Sequence, residues 1–353
     1  MPARGGSANS FIRMGIISTG RSAIGEIRNK QAGLISIVVP VYNEEPVITE
    51  FDRRLSAVRQ QFASPSEVIY VNDGSNDATL ALLVKLRTAD PTIGIVDLSR
   101  NFGKEVALTA GLDHSSGDLV VIIDADLQDP PELIPELIRR WRTENADVVY
   151  GQRVSRANES RTRKFAAYAF YRVIHLLADR LIPIDTGDFR LLSRRAVDAL
   201  SQLREHHRFM KGLFAWIGYH QVSMLYERDA RFAGHGKWNY WRLWNFSLEG
   251  VTSFTITPLK IATYVGLFVA LVSITYGGYI FGRTVLVGNP VPGYPSLLVA
   301  ILFLGGVQLI SLGVIGEYLG RMFNEVKHRP LYLVNQWEPS MHARTSASEA
   351  LNR

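Results

Sequence analysis

The chain contains no cysteine. That absence excludes disulfides, zinc ribbons and thiol nucleophiles, and leaves the redox compartment open. Charge is sparse too: 20% of the 353 residues are charged against 47% hydrophobic, a greasy balance that directs attention to membrane spans. No G-x-G-x-x-G follows the first strand-like run, and no G-x-x-x-x-G-K-[ST] occurs anywhere, which argues against a dinucleotide-binding enzyme and a P-loop NTPase. The eight histidines show no H-x-x-x-H pairing, so His206, His207 and His235 read as surface or hinge residues rather than ligands. The net charge is +6 and the pI is near 9.5. This balance suits an anionic partner, whether nucleic acid, lipid headgroup or phosphorylated substrate. No recognition module or basic–aromatic face supports nucleic acid.

Residues 1–33 are rich in Gly, Ser and Arg and hold no apolar stretch long enough for a secretory signal. They are expected to be a disordered extension, or the product of a start placed too early with Met14 as the true first residue. From Leu34 the pattern changes. LISIVVPVYN, EVIYVNDGS, IGIVDLSRN, GDLVVIIDAD and DVVYGQR read as strands. Between them EEPVITEFDRRLSAVRQQF, ATLALLVKLRTA, KEVALTAGLDHS and PELIPELIRRWRTEN carry helical spacing, as in Val47, Phe51, Leu55 and Val58. Strands alternating with helices predict βαβ units and a mostly parallel α/β sheet. Ligands of such sheets sit beyond the carboxyl ends of the strands. Asn43, Glu44, Asn72, Asp73, Asp124, Asp126 and Arg153 all fall there.

The last third is different. Ile261–Gly282 is free of charge, and Leu297–Leu319 carries one acid, Glu317, near its end; each is long enough to cross a hydrocarbon core of ~30 Å. Core helices of a large soluble protein are the alternative. Lys260 precedes the first run, and Arg321, Lys327 and Arg329 follow the second, while the connecting loop carries only Arg283. Cationic outer flanks predict that the large domain and the C-terminus lie on the cytoplasmic side, with the short loop outside. Ahead of the first run, Trp238, Trp241 and Trp244 recur with Lys237 and Arg242, as in a helix lying in the headgroup layer rather than an aromatic core stripe.

In VVIIDADLQDPPE, apolar residues run into Asp124, Asp126 and Asp129. Alternate residues of a strand point opposite ways, so Asp124 and Asp126 serve one ligand only if the chain turns, as it must before Pro130 and Pro131. Two hard oxygen donors with Gln128 suit Mg²⁺ or Mn²⁺ shared with substrate phosphates. Asp129 reads as a turn and helix-start residue.

Together VVPVYNE, VNDGSNDAT, DADLQDPPE, GQR and DTGDFRLLSRRAVDAL resemble the family 2 inverting glycosyltransferases of GT-A fold. More narrowly they are similar to the polyprenyl-phosphate glycosyltransferases, the group of dolichol-phosphate mannose synthase, and above all its bactoprenol glucosyltransferase branch, with likeness from about Leu34 to Val334. The family usually has Asp-Asp-Gly where this chain has Asn72-Asp73-Gly74. The resemblance implies a GT-A domain (34–235), an interfacial amphipathic helix (236–258), two transmembrane helices (259–321) and a cytoplasmic tail (322–353). It implies that Pro40, Tyr42, Glu44 and Asp73 hold the nucleoside, that Lys104 and Asp124 line the donor pocket, and that Asp124, Asp126 and Gln128 hold the metal. It places Asp188 near the reacting centre, as base or as orienting group; a turn or helix-cap aspartate is the bland alternative. Residence in the bacterial inner membrane and a homo-oligomeric state are expected on the same ground.

A phosphate monoester acceptor is already anionic near pH 7, its second pKa being about 6, so it needs cations more than a base. Arg153, Arg156, Arg161, Arg163 and Lys164 cluster after one strand, and Arg231 and Lys237 flank FAGHG. Arg153, Arg163, Arg231 and Lys237 are expected on acceptor or diphosphate oxygens, with solvated surface arginines or lipid-headgroup contacts as the alternatives. The expected activity is inverting transfer of a hexose, glucose first, from a UDP-sugar to undecaprenyl phosphate, with Asp188, Arg153 and Asp126 as catalytic residues. A processive polysaccharide synthase would carry more spans and a Q-x-x-R-W segment, which the sequence lacks. A non-catalytic scaffold or flippase component is disfavoured by the intact Asp124 and Asp126.

Overall fold

The computed structural model describes residues 33–153, 186–206, 208–227, 257–287 and 293–343. β1 (Ile35–Val41), α1 (Ile48–Arg59), β2 (Ser66–Asn72), α2 (Thr79–Ala89), β3 (Ile93–Leu98), α3 (Lys104–Asp113) and β4 (Leu119–Ile122) come first. A 3₁₀ turn at Pro131–Leu133 leads into α4 (Ile134–Thr143), followed by β5 (Val148–Arg153), β6 (Thr186–Ser193), α5 (Arg194–Ser201), α6 (Met210–Trp216) and β7 (Gln221–Tyr226). Two long helices, α7 (Thr257–Val287) and α8 (Tyr294–Val326), and a last strand, β8 (Val334–Glu338), complete the described chain.

The strands make one sheet in the order β7-β5-β6-β4-β1-β2-β3-β8. β4, β1, β2 and β3 run parallel, β6 runs antiparallel between β4 and β5, and β8 adds antiparallel to β3 at the far edge. The β-branched runs place apolar residues on both faces of the sheet because both faces are covered. Ile37, Val39, Val68 and Tyr70 point to one face, packed with Phe51, Leu55, Leu83, Leu137 and Trp141 of the flanking helices. Val38, Val120 and Ile122 point to the other, against Leu108, Leu112, Val197 and Leu213. α3 comes so close to the sheet that a Cβ at Gly111 would lie 2.2 Å from a methyl of Val38. This contact fixes the height of α3, and hence of the lysine at its start.

Both long helices carry stretches apolar enough to cross a bilayer, Ala262–Tyr279 and Phe303–Val326. Among the described residues none of their side chains is buried by protein; Leu267 and Phe268 are each 67% exposed. The soluble-core alternative requires the opposite. α7 runs on through Arg283, which the hydropathy pattern assigned to the connecting loop. At the other end, Glu325 of α8 accepts the backbone N–H of His206 at 2.8 Å. The Trp238–Trp244 segment, His207 and His235 lie outside the described residues. Within the stretch expected only as a tail, residues 334–338 form the edge strand β8.

Candidate active site

β1, β2, β3 and β4 all end at one rim of the sheet, and their loops clasp one another there. Asn43 follows β1 with φ of 55°, a left-handed conformation that asparagine tolerates. Its N–H donates to Ser75 Oγ (3.0 Å), and its side-chain oxygen accepts Asn76 N–H (2.8 Å). Gly74 has φ of 64°, and a Cβ there would lie 2.5 Å from the carbonyl carbon of Arg100. Only glycine fits.

Asp73 is buried, and its two carboxylate oxygens accept the N–H groups of Phe102 (2.7 Å) and Gly103 (3.0 Å). It therefore staples the β2 turn to the loop that opens α3. Burial pushes its carboxyl up, with the two N–H donors and Arg100 pulling the other way. Tyr42 is exposed at the end of β1, and Glu44 N–H donates to Thr79 Oγ1 at 2.9 Å. Pro40 pairs in register with Val71. These sequence-predicted nucleoside residues share one rim.

Lys104 opens α3 and reaches across the rim. Its Nζ lies 2.7 Å from Asp124, at the end of β4, and 2.5 Å from Asp188 Oδ2 on β6. The cation that the acids require is thus supplied in part by the chain itself. Burial alone would lower the Lys104 ammonium, but Asp124 and Asp188 hold it well above its ordinary value. For Asp188 burial works upward, and Lys104, Lys211 and Arg190 outweigh it, keeping the carboxyl well below the usual range. The Asp124 carboxyl is raised, burial prevailing over Lys104. Arg190, sunk beside Asp188 and stacked 3.6 Å over the Phe214 ring, is lowered by burial to about 10.

The chain turns after β4 as the two prolines require, with Leu127 at φ of 57°. Asp126 Oδ1 accepts Gln128 N–H at 3.1 Å, and Gln128 Oε1 is buried with no hydrogen-bond partner. No three His, Cys, Asp or Glu side chains among the described residues form a metal group. The available set is two carboxylates and an orphaned amide oxygen, which suits a divalent ion that takes its remaining ligands from phosphates and water. Asp129 is more than a turn residue: it is fully buried and accepts the Tyr226 hydroxyl of β7 at 2.5 Å, which ties the acidic loop down. Arg153 is the last residue of β5. Arg163, Arg231 and Lys237 lie outside the described residues, as do Arg156, Arg161 and Lys164.

One group escaped the sequence reading. Glu105, next to Lys104 on α3, keeps Oε2 buried without a hydrogen-bond partner. Burial, then the charge of Asp188, push its carboxyl up to about 7 against the pull of Lys104 and Lys211. The folded chain then holds this proton more tightly than the unfolded one. Its contribution to stability is complete below the ordinary value of 4.5 and is lost as pH rises through about 7. The melting temperature is expected to fall across that window, and the fall to shrink in Glu105→Gln. A wild-type melting temperature that stays flat there would contradict this assignment.

Residues 36–201 match the family described as glycosyl transferase family 2, and residues 257–322 match the GtrB C-terminal hairpin. An uncharacterized glycosyltransferase of Synechocystis sp. is 54% identical over 85% of this chain and 94% of its own. The bactoprenol glucosyl transferase of Shigella phage SfV is 47% identical over 85% of this chain and 97% of its own. A prophage bactoprenol glucosyl transferase homolog of Escherichia coli is 45% identical over 86% and 98%. Among solved structures, a glucosyl-3-phosphoglycerate synthase from Mycobacterium tuberculosis, crystallised with Mn²⁺, UDP-glucose and phosphoglyceric acid, overlaps 62% of this chain and 78% of its own. Its identity is 22% and its TM-score 0.44, too distant a likeness to bring its ligands across.

Proposed function

The chain belongs to glycosyl transferase family 2, and from that premise we propose that it transfers glucose from a UDP-sugar to a polyprenyl phosphate, undecaprenyl phosphate in a bacterium, with inversion at the anomeric carbon. It is a glycosyltransferase with a GT-A catalytic domain and two helices suited to a membrane. One observation carries the acceptor and the sugar: 45–47% identity to bactoprenol glucosyl transferases over nearly their whole length. The site chemistry supports the same reading. Asp124, Asp126 and the orphaned Gln128 oxygen are the residues that would hold Mg²⁺ or Mn²⁺. Such an ion, when bound, supplies Lewis-acid neutralisation of the charge developing on the diphosphate leaving group.

The chain's own groups do the rest. Tyr42, Glu44 and Asp73 stand on the rim where a nucleoside would lie, and the N-terminus of α3 with Lys104 offers positive charge to phosphate oxygens. A phosphate acceptor needs orientation more than deprotonation. Asp188, held ionised by Lys104, Lys211 and Arg190, is a weak base, so its part is to orient Lys104 and the cations around it. Arg153, Arg163, Arg231 and Lys237 are assigned to the acceptor and diphosphate oxygens. Helices α7 and α8 would keep the domain at the cytoplasmic surface of the inner membrane, where the acceptor head lies, and the tryptophans of the Trp238–Trp244 segment would set its height.

The test is transfer by the purified chain from a panel of labelled UDP- and GDP-sugars to undecaprenyl phosphate, with and without EDTA. One UDP-hexose, glucose, is expected to give a lipid-extractable product, and EDTA to reduce the rate by about a hundredfold or more. Transfer only from a GDP-sugar would overturn the donor assignment. Full activity in EDTA would overturn the metal assignment and leave the enzyme.

A further inference from the structure

The strand after the second long helix does more than finish the sheet. In the β3–β8 pairing, Asp97 faces Gln336 and Leu98 faces Val334, so Asn335 is the extra residue of a bulge. Bulges re-aim a side chain. Here Asn335 Nδ2 reaches Asp97 Oδ2 at 2.8 Å. Asp97 is nearly buried, and its other oxygen accepts Asn72 Nδ2 at 2.7 Å. Among the described residues that carboxylate meets two side-chain amides and no cation.

The bond from Asn72 fixes which way the Asn72 amide faces. Its Oδ1 must point to the turn, where it accepts Ser75 N–H at 3.3 Å. Ser75 Oγ in turn accepts Asn43 N–H, and Asn43 Oδ1 accepts Asn76 N–H. An unbroken series of side-chain hydrogen bonds therefore runs from β8 through Asp97 and Asn72 to the two loops that carry Tyr42, Glu44 and Asp73. The backbone reinforces it: Ser99 N–H donates to the Leu333 carbonyl at 2.9 Å, one residue before the Arg100–Asn101 segment that packs on Gly74.

We propose that Asn335 is a positioning residue for the donor end of the fold, acting through Asp97 and Asn72 to hold the turn at Gly74. The same tail has a second buried anchor at the opposite end of the sheet, where Ser340 Oγ donates to the buried Glu67 carboxylate. That anchor clasps the tail without touching the donor loops. It separates positioning from mere attachment.

The experiment uses the full chain in lipid nanodiscs, and its kinetic arm rests on the donor reading above. Hydrogen exchange of Ser75 and Asn76 amides is expected to quicken roughly tenfold in Asn335→Ala, the factor carried by one hydrogen bond to a charged acceptor. Asn335→Asp, which sets a second carboxylate against Asp97, is expected to do at least as much. Ser340→Ala is expected to lower the melting temperature and leave those amides unchanged. In transfer assays Asn335→Ala should raise KM for the sugar nucleotide severalfold at unchanged kcat. Unchanged exchange in both Asn335 variants, or equal quickening in Ser340→Ala, overturns the proposal. If the wild-type chain uses no sugar nucleotide, the function reading fails while the exchange measurement still decides this one.

Discussion

Asp188→Asn is expected to lower the rate of sugar transfer by about two to four orders of magnitude, the range that separates a positioned ionisable group from its neutral isostere, with the melting temperature close to wild type. Asp188 sits on β6 just past its last pair with β4, Ile122–Arg190, and between the Tyr150–Arg190 and Gln152–Thr186 pairs with β5, so paired residues on either side of it along the strand hold its place. Its Oδ2 takes Lys104, and its Oδ1 is buried with no hydrogen-bond partner. Asparagine keeps the shape and removes the charge. Lys104 then has one anionic partner, Asp124, where it had two. The change should also be felt next door. Asp188 is one cause of the raised Glu105 carboxyl, so its loss should move the Glu105 titration from about 7 toward the ordinary range. Asp188→Glu distinguishes the two roles this acid can play. A base on a longer arm would recover part of the rate, whereas a carboxylate that orients Lys104 at 2.5 Å would not. Transfer within about tenfold of wild type in both variants would remove Asp188 from the chemistry.

How far the sequence reading reached follows from the range of the forces involved. The strands were legible because each is a short apolar run whose two faces meet different helices, as Ile37 and Val38 do. Helix α1 was legible through Phe51, Leu55 and Val58, though it begins only at Ile48, because Glu44 and Val47 form the preceding turn. Asp124 was legible as an acid at the end of an apolar run, and the family resemblance pointed to Lys104 and Asp188. That Lys104 bridges Asp124 and Asp188 was not, since the 84-position separation of Lys104 from Asp188 is closed only by β6 slotting in against β4. Asp129 looked like a turn residue because two prolines follow it, and nothing local signals Tyr226, 97 positions away. Glu105 carries no sequence signal beyond that of an acid in the first turn of a helix; its unusual proton comes from burial first and then from Asp188 across the rim. Strand β8 is five residues long and exposed at its start, so its composition resembles a tail. The departure at Asn72 has a physical counterpart. An aspartate there would set a second carboxylate against buried Asp97, whereas the asparagine donates to it.

Asp124→Asn is expected to leave less than about one thousandth of wild-type transfer, because this residue carries two duties at once. It is the first acid of the proposed metal set and one of the two carboxylates on Lys104. Asp126→Asn is the informative partner. Asp126 bonds the turn through Gln128 N–H and has no ion pair with Lys104, so its replacement leaves the Asp124–Lys104–Asp188 series intact. Mn²⁺ binding followed by electron paramagnetic resonance, in the presence of UDP, reads the metal duty apart from the rate. If the two acids share a metal, both variants lose Mn²⁺ affinity and both lose turnover. If Asp124 serves only as the counter-ion of Lys104, its variant loses turnover while Mn²⁺ binding survives. Asp126→Asn would then stay near wild type on both counts. The raised Asp124 carboxyl adds a pH dependence to the comparison. Burial favours its protonated form, and a metal requires the carboxylate. Mn²⁺ affinity in the wild-type chain should therefore weaken as pH falls through the Asp124 titration, and Asp124→Asn should abolish that dependence.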